Sequence, residues 1–399
     1  MFIPDATIPA GEIDHRIERL RVHLADAAMD GVLILQRADL FYFSGTAQDA
    51  HLFVPREGDP LLMVRKDRDR AAAESPIGRI VPLGSPKQVP EILARNGHAI
   101  PRSLGMELDV LPANLYLEYR RVFDGAKILD ASHPIRLTRM VKSDYEIGLL
   151  REAGRKADEL YRGIREDITC GIPEVELAGR IEARARKLGH QGTVRMRLWG
   201  SEIFYGHLMA GPSAAVPSFL ASPTGGTGTG PAAGQSAGFR PVGRGEPILV
   251  DYVFCHQGYI SDQTRIFAIG ELADEWYKAH EAMIEIQALL RKASLPGVKA
   301  GDLYEMAVNR AGELGYSDHF MGTGPQRIRF IGHGTGLELD EYPFIAKGQQ
   351  IPIEAGMCIA LEPKLIFPGK GVVGIENTHI ATPQGLTSLT RFEDAIVRV

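Results

Sequence analysis

Between residues 143 and 385 the order helix, helix, strand, strand is written twice, and no other feature constrains the fold as much. In the first pass Ser143, followed three residues later by Glu146, predicts a capping box that opens a helix running to about Asp167. A second helix is expected over "PEVELAGRIEARARKLG", with Pro173 at an N1-like position and Gly189 as its stop. "PILVDYVF" and "YISDQTRIFAIG" then read as strands. In the second pass "ADEWYKAHEAMIEIQALLRKA" and "AGDLYEMAVNRAGELG" are the helices, and "GMCIALEPKLIF" and "VVGIENTHIAT" the strands. The repeat is one of element order, without obvious sequence identity. An α+β domain of two similar halves has a cleft at its middle, a natural place for a site.

A chain of 399 residues exceeds one ordinary core, so a second domain is expected. Residues 12–29 carry Ile17, Leu20, Leu24 and Ala27 at three- and four-residue steps, the mark of an amphipathic helix. "GVLILQ" follows as a buried strand and "HLFVPREGDPLLMV" as a hairpin turning at "REGDP", with "RSLGMEL" and "AKILDAS" as further strands. The division expected is 1–138, an α/β domain of alternating units, and 139–399, the α+β domain.

Net charge is −5, so no global basic field recruits nucleic acid or an anionic membrane surface. No apolar run reaches membrane-spanning length, and the first residues lack the pattern of a signal peptide. Cys170, Cys255 and Cys358 are odd in number and widely spaced, which argues against a disulfide framework or cysteine-zinc site and suits a reducing cytoplasm. The stretch 221–238, "ASPTGGTGTGPAAGQSAG", reads as a flexible surface loop. A phosphate loop is excluded, since no Lys-Ser/Thr pair follows the glycines; a lid over a cleft is the other reading.

Chemistry enters with the carboxylates. Asp251 lies within the apolar strand "ILVDYVF", and Asp262 follows eleven residues later, a hairpin separation. Glu362 is expected inside a third apolar strand and Glu376 inside a fourth. Any one of them could cap a helix or pair with an arginine. All four in apolar strands are costly without a positive partner. No equal set of buried bases is in view: Arg265, Lys364 and Lys142 are nearest along the chain, and the first two can lie on opposite strand faces. Two divalent cations would balance four carboxylates, and with His333, in "GHGTGLELDEYP", the oxygen-rich set suits Mn²⁺, Co²⁺, Fe²⁺ or Zn²⁺.

Asp251, Asp262, His333, Glu362 and Glu376, set in "GYISDQTRIF", "GHGTGLELDEYP", "LEP" and "GIENT", resemble the M24 metallopeptidases: Xaa-Pro aminopeptidases, prolidases and methionine aminopeptidases, with creatinase in the same fold group. The first domain resembles the creatinase-type N-terminal domain. The resemblance implies a pita-bread catalytic domain with pseudo-twofold halves, a dinuclear metal site and a homodimer or larger oligomer. It implies that Asp251 chelates one metal, that Asp262 and Glu376 bridge both, and that His333 and Glu362 bind the other. It further implies that metal-activated water attacks a peptide or amide bond, with Glu362 carrying a proton to the leaving amine.

The pattern also departs from those relatives. A second histidine usually stands seven residues after the ligand histidine, where this chain has Asp340. Another usually precedes the first aspartate, where "GPSAAVPSF" offers Ser218. Gly374 stands where relatives often have Arg, and Val253 where they often have Gly. His207, in "FYGHLMAG", and Asp340 are therefore further catalytic candidates, each with a structural role as the plain alternative. The small peptide or amide substrate has two alternatives: a non-peptide C–N bond, as in creatinase and ectoine-hydrolase relatives, or no reaction at all in a silent peptide-binding module. Five intact ligands argue against the last.

Overall fold

A computed structural model describes residues 7–202 and 205–399, and the chain divides into two compact units between Arg139 and Met140. In the first, strands β1 (Gly31–Ile34), β2 (Ala50–Pro55), β3 (Leu61–Val64), β4 (Ile80–Pro82), β5 (Ser103–Met106) and β6 (Lys127–Asp130) form one sheet in the order β4-β3-β2-β1-β5-β6. β2 and β3 are the expected antiparallel hairpin, while β5 and β6 run parallel, as alternating α/β units require. The amphipathic helix spans Ala10–Asp26 and buries Ile13, Ile17, Leu20 and Leu24 along one stripe.

The second unit opens with the helix Asp144–Ile164. Ser143 accepts from the Glu146 N–H while Glu146 reaches back to the Ser143 N–H, the capping box expected. The next helix is Glu174–Lys187, with Pro173 at its N-cap rather than in its first turn; φ of −61° serves either place. Helices Asp274–Ala293 and Ala300–Glu313 complete the repeat of helix pairs.

The strands between are β7 (Gly206–Ala210), β8 (Ile248–His256), β9 (Tyr259–Ala268), β10 (Phe330–Gly334), β11 (Glu341–Ala346), β12 (Cys358–Leu361), β13 (Lys364–Phe367), β14 (Gly371–Gly374), β15 (Asn377–Thr382), β16 (Gly385–Ser388) and β17 (Val397–Arg398). They form a sheet β17-β9-β8-β7, a sheet β11-β10-β12-β15-β16 and the ribbon β13-β14. β8 and β9 join through Gln257 and Gly258, both at positive φ, the geometry of a two-residue hairpin turn. Along β8, Val250, Tyr252 and Phe254 join the core that contains Tyr161 of the helix Asp144–Ile164, so Asp251 and Val253 face the other way.

Two expectations change. Glu362 and Glu376 do not lie inside strands. Each sits at a break, where the chain passes from β12 to β13 and from β14 to β15. Pro363 lacks the N–H to continue a ladder, and Ile375 donates instead to the Pro363 carbonyl. The glycine-rich stretch is not a loose loop either. Gly226 donates to the Val216 carbonyl, Ser236 to that of Gly225, and Gly228 to that of Ser236, so its backbone polar groups are tied down.

Candidate metal centre

The hairpin turn sets the register Asp251 opposite Thr264 and Val253 opposite Asp262, which puts both aspartates on one face. β7 adds His207 directly opposite Asp251 on that face. From the other sheet, β10 brings His333, opposite Ala360 of β12. The two strand breaks bring Glu362 and Glu376 between these sheets. Glu376 is held by reciprocal main-chain bonds with Thr264, by the Thr264 hydroxyl at 2.8 Å from its Oε2, and by the Arg265 guanidinium on its carbonyl.

His333 Nδ1 lies 3.0 Å from the Gly334 carbonyl, so it is the donor there and leaves Nε2 facing the acids. Nε2 is 3.8 Å from Asp262 Oδ2, 3.8 Å from Glu362 Oε1 and 3.9 Å from Glu376 Oε1. Those separations are too long for hydrogen bonds. Ligand atoms of Asp262, His333 and Glu376 fall within 4.8 Å of one another, all buried. Asp262 Oδ1 is buried with no hydrogen-bond partner. Four carboxylates, one imidazole and an orphaned oxygen fit a hard to borderline divalent cation.

All the sequence-derived candidates except Ser218 meet here. His207, Asp340, Asp251, Asp262, His333, Glu362 and Glu376 line one cleft, whose apolar wall includes Met196, Leu198, Leu220 and Phe330. Asp340 Oδ1 is 3.7 Å from His333 Nδ1. Ser218 instead accepts from the Leu220 N–H in the adjoining loop. Glu341 turns away from the chemistry: its Oε1 accepts from the Leu337 and Glu338 N–H groups and its Oε2 from Lys142 at 2.7 Å. Arg265 lies behind the site, donating to the Phe392 and Glu393 carbonyls.

Lys364 is the residue whose role the sequence left open. It is fully buried, and its Nζ lies 2.7 Å from Glu362 Oε2, 3.1 Å from Asp251 Oδ2 and 3.1 Å from Glu376 Oε2. Its position two residues after Glu362 is the signal available in the sequence, since alternate residues of an extended chain share a face. The ammonium divides the aspartates. Burial alone would raise the Asp251 carboxyl, but Lys364, His207 and Thr264 together hold it below its usual range. Burial, then the charges of Glu376 and Asp251, push Asp262 well up. Burial also lifts Glu376, to about 8, despite Lys364. Burial opposes charge on His333, yet Asp340, Glu362 and Asp262 together raise it, whereas burial lowers His207.

A fold of this kind with this cluster of acids is that of a metallopeptidase, and the comparisons agree. Residues 148–383 match the metallopeptidase family M24 and residues 16–141 the creatinase/prolidase N-terminal domain, so the chain belongs to metallopeptidase family M24. It is 27% identical to an Xaa-Pro dipeptidase of Pyrococcus furiosus, over 95% of this chain and 98% of that relative. Among solved structures, the prolidase of Pyrococcus horikoshii matches with a TM-score of 0.78 at 25% identity, over 95% of this chain and 99% of that one. An Xaa-Pro dipeptidase from Bacillus anthracis shares the fold with a TM-score of 0.83 at 24% identity, over 97% and 100% of the two chains. The catalytic unit is thus a pita-bread domain that follows a creatinase-type N-terminal domain in the chain, and the chain is a metallohydrolase of a family that depends on a divalent metal.

Proposed function

We propose that the chain hydrolyses small peptides, with Xaa-Pro dipeptides first among them, at a centre built from Asp251, Asp262, His333, Glu362 and Glu376. The observation that carries this is the convergence of three carboxylate oxygens on His333 Nε2 at 3.8–3.9 Å, beside an apolar-walled cleft. A divalent cation bound there supplies a water acidified toward neutral pH and an electrophile for the scissile carbonyl. Mn²⁺, Co²⁺, Zn²⁺ and Fe²⁺ all suit the donors, and the sequence pattern implies two such ions. Glu362, which lines the cleft, would take a proton and pass it to the leaving amine. His207, lowered by burial and so neutral near pH 7, offers the cleft an imidazole that can accept or donate a hydrogen bond to substrate.

A second reading keeps the metal chemistry but moves it to a non-peptide C–N bond. It is favoured by one observation: Asp340, an acid, lines the cleft where relatives usually carry a histidine. One assay separates these readings. Protein purified without chelator is offered Xaa-Pro dipeptides with Mn²⁺ or Co²⁺. Cleavage that a chelator abolishes supports the first. Bound metal with no cleavage of any dipeptide supports the second. Protein that binds no metal sinks both and leaves a silent binding module.

A homodimer belongs to the same proposal. Trp199 and Phe219 are exposed beside the cleft-lining Leu198 and Leu220, apolar surface that a second copy would cover; light scattering tests the mass. A cytoplasmic location is consistent with three free cysteines, and no helix among the described residues is long and apolar enough to cross a membrane. Cell fractionation tests it.

A further inference from the structure

We propose that the Lys364 ammonium takes the place of one of the two cations, so that each chain holds a single divalent ion, on the His333 side of the cluster. This rests on the site being a metal centre. Glu362 and Glu376 each divide their oxygens between two points. Glu362 Oε2 and Glu376 Oε2, with Asp251 Oδ2, converge on Lys364 Nζ at 2.7–3.1 Å. Glu362 Oε1 and Glu376 Oε1, with Asp262 Oδ2, converge instead toward His333 Nε2 at 3.8–3.9 Å. The first point is filled: an ammonium has three N–H groups, and three carboxylate oxygens take them. The second point has no hydrogen bonds from the imidazole, and it has the orphaned Asp262 Oδ1 beside it.

The lysine is fitted to its place by its strand partner. Lys364 of β13 pairs with Gly374 of β14, and a Cβ at Gly374 would stand 2.6 Å from Lys364 Cγ and 2.6 Å from the Pro363 carbonyl oxygen. Glycine therefore leaves the room through which the lysine stem passes. With the ammonium in place, one divalent ion brings the positive charge to three against the four carboxylates, and a second would bring it to five. A second divalent ion at the Asp251 side would expel the ammonium from its three oxygens, and a buried cation without partners is strongly unfavourable. The stem is fully enclosed, with no exposed surface along which the ammonium reaches water.

The experiment is a metal count. Wild-type protein, purified without chelator and saturated with Mn²⁺, is dialysed and its manganese measured by mass spectrometry, with the electron paramagnetic resonance spectrum recorded alongside. One ion per chain and the six-line signal of an isolated Mn²⁺ are expected. Lys364→Gly, which vacates the Asp251 side, is expected to bind two ions and to show the broadened signal of a coupled pair. Two ions per wild-type chain overturn the inference even if the protein then cleaves Xaa-Pro dipeptides, which would leave the proposed function standing. No bound ion in folded wild type overturns both. Should Lys364→Gly fail to fold, the wild-type count decides alone.

Discussion

At His333 the neighbouring carbonyl does as much as the acids. Because Nδ1 donates to the Gly334 oxygen at 3.0 Å, Nε2 is left as the lone-pair atom facing the cluster. Asp340, 3.7 Å from Nδ1, adds negative charge behind the ring and would make it a better ligand for the proposed metal. Asp340→Asn is expected to weaken Mn²⁺ binding about 10-fold, as titration calorimetry would read. His207→Gln is expected to leave metal affinity unchanged and to lower kcat/KM about 100-fold; equal kcat/KM in the two proteins would remove His207 from the reaction. The acids were legible in the sequence because charge inside an apolar run demands a reason. Lys364 was not, because which of the nearest bases meets the acids depends on its strand face, and that face was unknown. His207 was ambiguous for the same reason, and only its register opposite Asp251 decides it.

Among the elements, the ribbon β13-β14 has little room to spare. Gly374→Ala would force its methyl against Pro363 backbone and the Lys364 stem, a cost of about 1–3 kcal/mol, measurable as a lower denaturation midpoint in urea. Ser143→Ala removes the acceptor of the capping box and is expected to cost about 1 kcal/mol in the same measurement. The capping box, the helix pairs and the β8/β9 hairpin could be read from the sequence because their signals are local. The passages from β12 to β13 and from β14 to β15 could not, since an apolar run looks the same whether its ladder partner changes midway or not. Pro363 was the one local hint. The glycine-rich stretch misled in the opposite direction: its composition reads as slack, whereas main-chain hydrogen bonds hold Gly225, Gly226, Gly228 and Ser236, and its first residues, Ala221 and Ser222, line the cleft.

Over the whole molecule, buried histidines make the fold sensitive to mild acid. Burial lowers His190 and His280 to about 4 and His379 to about 3, and the His379 ring nitrogens have no partners. The unfolded chain protonates these rings near pH 6.5 while the folded one resists. Stability is therefore fully present above pH 6.5 and is lost as the pH falls from there toward 4. Each ring contributes a slope of up to about 1.4 kcal/mol per pH unit in that window. Thermal unfolding followed from pH 7.5 to 4.5 should show Tm falling steeply below 6.5, and His379→Leu should flatten the fall. An unchanged Tm across that range would falsify the assignment.

The two sheets meet at the cluster, with Asp251 and Asp262 on one, His333 on the other, and both glutamates where the chain passes between the second sheet and the ribbon β13-β14. A cation bound there, as proposed, would close the long loops from Asp262 to His333 and from His333 to Glu376 and so act as a removable cross-link. The cohesion of the two sheets then follows mass action, growing with the logarithm of free metal concentration above the dissociation constant. Amide exchange at Thr264 and Glu376, the pair that bridges the sheets, becomes a gauge of metal supply, slow in replete protein and fast in starved.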